Sequence, residues 1–402
     1  MRGYFPREEY EDRWRRLAAE MRREGYAAAL IWSRSAGGYE KFADVFYLAH
    51  YYSNQSGQAD EDAWLGVGFA AVIFVPDETP QLVADLPAFP EEGVATDRIV
   101  RSDEPNRVKL VCDAMRARGL TEGPVALVGD HFLPWRYARI LQAELPGIEW
   151  IPADELVESV RRHKSPRELD CIREGGEIVT AALTKQLEQA VRGGTQADIA
   201  AAGAHELLRR GGNFHMIPVA SGAGAELEPF TNEPLTGFDV RISTHPGDLV
   251  RTWIYGPAWQ GYWLDPGRTV VVGGKPTSAQ RTIISAANDL VTRLIEEIRP
   301  GSSVREIAAL GAELRADAGN VDSATSETFP LLGHGNGLFW ERPTIWLDVE
   351  ENEERWTFWE GQTMGVETFL SHPDVGTVGI EQNIIVHEGG NELLTPVPLE
   401  WW

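Results

Sequence analysis

Apolar residues recur at helical spacing from the start of the chain. Residues 7–24 (REEYEDRWRRLAAEMRRE) place Tyr10, Trp14, Leu17 and Met21 on one face of a charged segment that ends at Gly25, which predicts a helix. YAAALIW (26–32) is a continuous apolar run, the pattern of a buried strand. FAAVIFVP (69–76) and QLVADL (81–86) predict a hairpin across the turn at Pro76–Pro80. Helical stretches at 105–119 and 134–144 alternate with the buried strands PVALVGD (124–130) and GIEWIPA (147–153). ELVESVRRH adds a short helix. This alternation predicts an α/β domain with a mixed sheet.

The pattern changes at His163–Lys164–Ser165–Pro166. Ser165, with Pro166 in the first turn and Glu168 after it, is a helix N-cap. We therefore expect one domain over residues 1–163 and a second over 164–402. In the second, helices are predicted at 166–192, 195–211, 276–299 and 302–318. Gly- and Trp-rich strands are predicted at 214–222, 247–256, 259–273, 326–334, 362–371 and 376–387. The expected architecture is α+β, with helices on one side of a curved antiparallel sheet.

Composition narrows the function. A length of 402 residues is enough for two cores, and 43% hydrophobic with 24% charged residues is the balance of a globular chain. The net charge of −24 argues against a nucleic-acid partner, leaving a small-molecule substrate as the expected ligand. No run of about 18 apolar residues exists, so no membrane span is expected. The charged start MRGYFPREEYEDRWRRL does not read as a signal peptide. Cys112 and Cys171 form no CxxC pattern, which points to a reducing cytoplasm.

Four ionisable residues carry the candidate chemistry: Asp265 in GYWLDPGRT, His334 in LLGHGNG, Glu367 in GQTMGVET and Glu381 in VGIEQNIIVHEGG. A strand such as GIEQNIIV buries its glutamate, and a buried carboxylate is costly unless paired or metal-bound. Two such carboxylates with a His and an Asp, all after position 260, predict a shared partner.

The order GD…GY-x-x-D-x-x-RT, GHGxG, MxxE and GxxIEQNIIV resembles the pita-bread family of methionine aminopeptidase, prolidase, aminopeptidase P and creatinase. The resemblance covers nearly all of residues 150–395, and the N-terminal domain resembles that of the creatinase/prolidase branch. It implies a C-terminal pita-bread domain behind an N-terminal creatinase-type α/β domain, a homodimer, and hydrolase activity. In the peptidase members these motifs supply Asp, Asp, His, Glu and Glu to two divalent metals. Asp265, His334, Glu367 and Glu381 carry four of these positions, a donor set suited to Mn, Fe, Co or Zn. The first Asp should follow Gly247–Asp248 by about five residues, where this chain has Trp253. The expectation is one divalent metal at most, or none.

Two family histidines that contact the scissile amide are also replaced. After Ser221–Gly222, Phe230 or Thr231 takes the place of the first; Trp340 takes the second, with Glu341 retained. The candidates for the catalytic role are then His334, Glu341 and His215, the last in GGNFHMIPVASG. Trp253, Trp340 and Phe230 either fill lost volume or form an aromatic box for a flat or cationic substrate, worth about 0.5–2 kcal/mol for a cation over an indole. Asp60–Glu61–Asp62 is either a solvated loop or, in a creatinase-type dimer, an acidic cover over the partner's site. Three functions follow. One is a hydrolase or lyase acting on a small, non-peptide C–N bonded substrate. The others are a metal-independent creatinase-like amidinohydrolase and a non-catalytic pseudo-peptidase.

Overall fold

The computed structural model describes residues 4–34, 42–53, 68–85, 88–90, 93–101, 104–222, 236–318, 329–347, 356–372 and 375–401. The chain divides into two compact units, Met1–His163 and Lys164–Trp402.

The first unit opens with helix α1 (Arg7–Glu24), which buries Tyr10, Trp14, Leu17 and Met21 and stops at Gly25 in the left-handed conformation. Then follow β1 (Ala29–Arg34), α2 (Ala43–Ala49), β2 (Phe69–Phe74), β3 (Gln81–Val83) and β4 (Ile99–Val100). Helix α3 (Arg107–Ala117), β5 (Glu122–Val128), α4 (Trp135–Glu144), β6 (Gly147–Pro152) and α5 (Glu155–Arg161) complete it. The sheet has the order β4-β3-β2-β1-β5-β6. It is mixed: β2 pairs antiparallel with β1 and β3, while β1–β5 and β5–β6 are parallel. The predicted hairpin is thus β2–β3. Helix α2 was not predicted; at seven residues it is too short to show a clear period.

The second unit starts on α6 (Pro166–Arg192). Ser165 and Glu168 form a reciprocal capping box, and the Tyr262 hydroxyl donates to Glu168 Oε1 at 2.6 Å, anchoring the helix start. Next come α7 (Gln196–Arg209), β7 (Val219–Ser221), β8 (Leu249–Trp253), β9 (Gly256–Trp259), β10 (Tyr262–Leu264) and β11 (Gly267–Val271). Then come α8 (Ser278–Glu297), α9 (Val304–Asp317), β12 (Leu331–Asn336), β13 (Trp340–Trp346), β14 (Thr363–His372), β15 (Gly376–Ile385) and β16 (Glu392–Leu393). The main sheet runs β13-β12-β14-β15-β11-β8-β7, and its neighbouring strands pair antiparallel. The strand predicted over 259–273 is instead two. Pro266, which has no N–H for a ladder, follows Asp265 at the break, and β10 pairs with β9 in a separate ribbon.

Strand alternation sorts β14 and β15 into two faces. Met364, Val366, Ile380 and Ile384 join Ile284, Leu290, Val291 and Leu294 of α8 in the core. Gly365, Glu367, Glu381 and Asn383 hold the intervening positions. Arg268, fully buried on β11, donates to the backbone carbonyls of Glu381 and Val397, fixing β15 at the position that carries Glu381. Among the described residues no helix is long and apolar enough to cross a membrane.

Cys112 lies in the core of the first unit, and burial pushes its thiol up to about 12; Cys171 is likewise buried. The thiolate is the reactive form. Native protein at pH 8 should therefore react with Ellman's reagent far more slowly than the urea-unfolded chain. A rapid native reaction would show that these cores open.

Candidate metal centre

The site is built over a glycine. A Cβ at position 365 would lie 2.5 Å from Glu381 Oε1, 3.2 Å from Asp265 Oδ1 and 3.4 Å from His334 Cε1. Only a residue without a side chain leaves room for these three groups to converge. Strand register supplies them: His334 on β12 lies opposite Gly365 on β14, and Glu367 on β14 lies opposite Glu381 on β15. Asp265 enters from the break between β10 and β11.

His334 Nδ1 hydrogen-bonds the Gly335 carbonyl at 3.2 Å. A carbonyl only accepts, so Nδ1 donates and Nε2 is the ring nitrogen that faces the carboxylates. Nε2 lies 3.4 Å from Asp265 Oδ2, 3.7 Å from Glu381 Oε1 and 3.8 Å from Glu367 Oε1. Asp265, His334 and Glu381 offer ligand atoms all within 4.8 Å of one another. All four residues are at most 3% exposed. Burial, then the Asp265 charge, holds Glu367 well above the usual carboxylate range. Burial, Asp265 and Glu367 do the same to Glu381, with the Trp253 N–H opposing them.

Donors surround Asp265. Asn383 Nδ2 at 2.6 Å and Asn336 Nδ2 at 2.9 Å reach Oδ1, and Trp340 Nε1 reaches Oδ2 at 3.1 Å. Glu381 Oε2 takes Trp253 Nε1 at 2.8 Å, whereas Glu381 Oε1 is buried with no hydrogen-bond partner among the described residues. A carboxylate oxygen without a hydrogen-bond partner among the described residues, a ring nitrogen turned toward carboxylates, and a glycine cradle together fit one divalent cation. Asp265, His334 and Glu381 would hold it, with Glu367 beside them.

The expected site residues separate as follows. Trp253 does not line an open wall. It is 2% exposed, stacks on Phe369 with centroids 5.2 Å apart, and fills a slot above Gly267 and Gly379. A Cβ on Gly267 would overlap the indole, and one on Gly379 would come within 2.6 Å of it. Trp340 is half-buried and stacks on His334 at 4.1 Å. Glu341, next along β13, alternates to the other face, where its carboxylate pairs with the buried ammonium of Lys164. That pairing engages it structurally rather than leaving it free as a base. His215 packs 5.6 Å from Tyr255 and 5.9 Å from Trp263, and burial lowers its pKa. Phe230, Thr231 and Asp60–Glu61–Asp62 lie outside the described residues. Sequence reading missed Asn336, Asn383 and the three glycines. The available signal was the pair of amides inside the GHGNG and GIEQN motifs.

A family model for metallopeptidase family M24 matches residues 170–388, and one for the creatinase/prolidase N-terminal domain matches residues 13–163. The chain belongs to metallopeptidase family M24. It is a hydrolase of the creatinase/prolidase type, with the pita-bread fold behind a creatinase-type domain. It is 24% identical to the Xaa-Pro dipeptidase of Pyrococcus horikoshii over 336 residues, 83% of this chain and 86% of that protein. It is 30% identical to the uncharacterized peptidase YqhT of Bacillus subtilis over 264 residues, 64% of this chain and 69% of that one. In structure it resembles dipeptidase PepE from Mycobacterium ulcerans, with a TM-score of 0.76 at 22% identity over 99% of this chain and 98% of that one. The Xaa-Pro dipeptidase from Bacillus anthracis gives 0.74 at 21% identity over 97% and 98%.

The indole slot of this M24 protein is open to a direct test. Gly267→Ala should cost about 1–3 kcal/mol of unfolding free energy through overpacking. Gly267→Ala combined with Trp253→Ala should recover part of that loss relative to Trp253→Ala alone. Strict additivity in chemical denaturation would show that the indole does not occupy this slot.

Proposed function

We propose that this chain hydrolyses a C–N bond of a small substrate at a centre that takes one divalent cation through Asp265, His334, Glu367 and Glu381. The observation that carries this reading is the convergence of Asp265, His334 and Glu381 over Gly365, with ligand atoms all within 4.8 Å of one another. A cation bound there would supply Lewis acidity and lower the pKa of a water molecule. The chain's own residues supply the rest. Asn336, Asn383 and Trp340 orient Asp265, Trp253 orients Glu381, and the Gly335 carbonyl orients His334. Trp253 fills the position from which the family's first Asp would grip a second ion, so the reading is one cation rather than two. Xaa-Pro dipeptides enter the substrate panel because relatives carry that activity in their names. Phe230 and Trp340, at the positions of the two amide-contacting histidines, favour a non-peptide amide, amidine or ureide. The two buried cysteines, Cys112 and Cys171, fall in no CxxC pattern, which fits a reducing, cytoplasmic setting.

A metal-independent reading is favoured by one feature: three N–H donors already offset the charge of Asp265. Elemental analysis of protein purified without chelator separates the two. One divalent ion per chain is expected, with turnover lost on chelation and restored by adding the ion back. Glu381→Ala should lower kcat/KM by about 100-fold or more. Turnover unchanged by exhaustive chelation and by Glu381→Ala would establish the metal-free enzyme instead.

Proton linkage gives a second check. Glu367 and Glu381, raised well above the usual carboxylate range without a cation, hold protons that a cation displaces. Affinity should therefore rise with pH. Calorimetry in buffers of differing ionisation enthalpy should show net proton release on binding near neutral pH; zero release would contradict this protonation of the pair.

A further inference from the structure

Asn336 ends β12 opposite Trp340 and is 1% exposed. Its amide nitrogen donates to Asp265 Oδ1, the same oxygen that receives Asn383 Nδ2. This fixes which way the amide faces, because turning it over would press its oxygen against a carboxylate oxygen. The backbone carbonyl of Asn336 is separately occupied by the Thr363 hydroxyl. Asn336 Oδ1 has no hydrogen-bond partner among the described residues. A buried amide oxygen without a donor carries a desolvation penalty, which a ligand bringing a donor removes. This acceptor belongs to the same amide that clamps Asp265.

We propose that Asn336 Oδ1 receives the N–H of the substrate's scissile nitrogen. This rests on the reading that C–N cleavage occurs at this centre, and it sharpens the substrate class. The preferred bond is a secondary amide, amidine or ureide whose nitrogen carries hydrogen. An Xaa-Pro bond is disfavoured, because its nitrogen is closed into a ring and has no hydrogen to donate. A site built to accept a hydrogen bond rejects the analogue that lacks the donor far more strongly than a site shaped only for volume.

Matched substrate pairs test this on the metal-loaded full-length protein. Alanyl-glycine is compared with alanyl-sarcosine and alanyl-proline, and N-carbamoylglycine with N-carbamoylsarcosine. The wild type should favour the N–H member of a pair by about tenfold or more in kcat/KM. Asn336→Leu should bring that ratio close to one, after correction for ion content by elemental analysis. A wild-type ratio near one overturns the proposal. So does a ratio that Asn336→Leu leaves unchanged, which would make Asn336 only a clamp on Asp265 or a ligand of the ion. Asn336→Thr serves if the leucine variant does not fold, and the wild-type ratio is decisive on its own. Should the wild type cleave no member of either pair, the hydrolase reading fails separately. Calorimetric binding of the same pairs then still tests Asn336, with a tenfold tighter N–H member expected and equal affinities overturning it.

Discussion

Two carboxylates and one imidazole, all buried and converging over a single glycine with a third carboxylate, Glu367, beside them, set the constraint on which the rest of this domain depends. Like charges at this distance in a water-poor interior cannot all persist unassisted. The chain answers with fixed N–H donors, three on Asp265 and one on Glu381, and with raised proton affinity at Glu367 and Glu381. What these leave without a hydrogen-bond partner among the described residues is Glu381 Oε1, which lies 3.7 Å from His334 Nε2. The sheet makes the arrangement durable. One face of β14 and β15 is locked into the α8 core, and Arg268 holds the backbone at Glu381 from behind.

Trp253 shows how a large aromatic side chain is accommodated beside a buried carboxylate. An indole is far larger than a carboxylate, and it fits because Gly267 and Gly379 remove the side chains that would block it. It stacks on Phe369 for packing and still presents an N–H to Glu381. It therefore brings a neutral donor and apolar volume to the edge of the carboxylate cluster. An open cavity would cost stability, and an unpartnered carboxylate would cost more.

The β12–β13 hairpin gathers groups that surround Asp265 and His334. Asn336 and Trp340 lie opposite each other in the ladder and both donate to Asp265, while Trp340 also covers the His334 ring. Glu341, on the reverse face, fastens the hairpin to Lys164, the first residue of this unit, through a pair of which each side chain is at most 2% exposed. Breaking one partner of such a pair strands a buried charge, so the pair holds the hairpin in one register. His215, packed between Tyr255 and Trp263, belongs to a neighbouring aromatic group rather than to the carboxylate cluster.

Much of this was legible along the chain. Helical period and capping chemistry located α1 and α6, whose signals are local, and the spacing of GYWLDPGRT, GHGNG, MGVET and GIEQN named Asp265, His334, Glu367 and Glu381 before any contact was known. The loss of an acidic residue at position 253 was equally plain. Local pattern could not reveal the short α2 or the split at Asp265–Pro266, where the missing proline donor breaks an otherwise strand-like run. Nor could it say where the replacement residues point. That Trp253 fills a slot instead of lining a pocket, that Glu341 turns to Lys164, and that Asn336 and Asn383 share one oxygen of Asp265 depend on register between distant strands. Each rests on a partner dozens of residues or more away in sequence. Residue identity determined which donors and acceptors exist; antiparallel pairing alone decided which of them meet, because a shift of one residue sends every side chain to the opposite face.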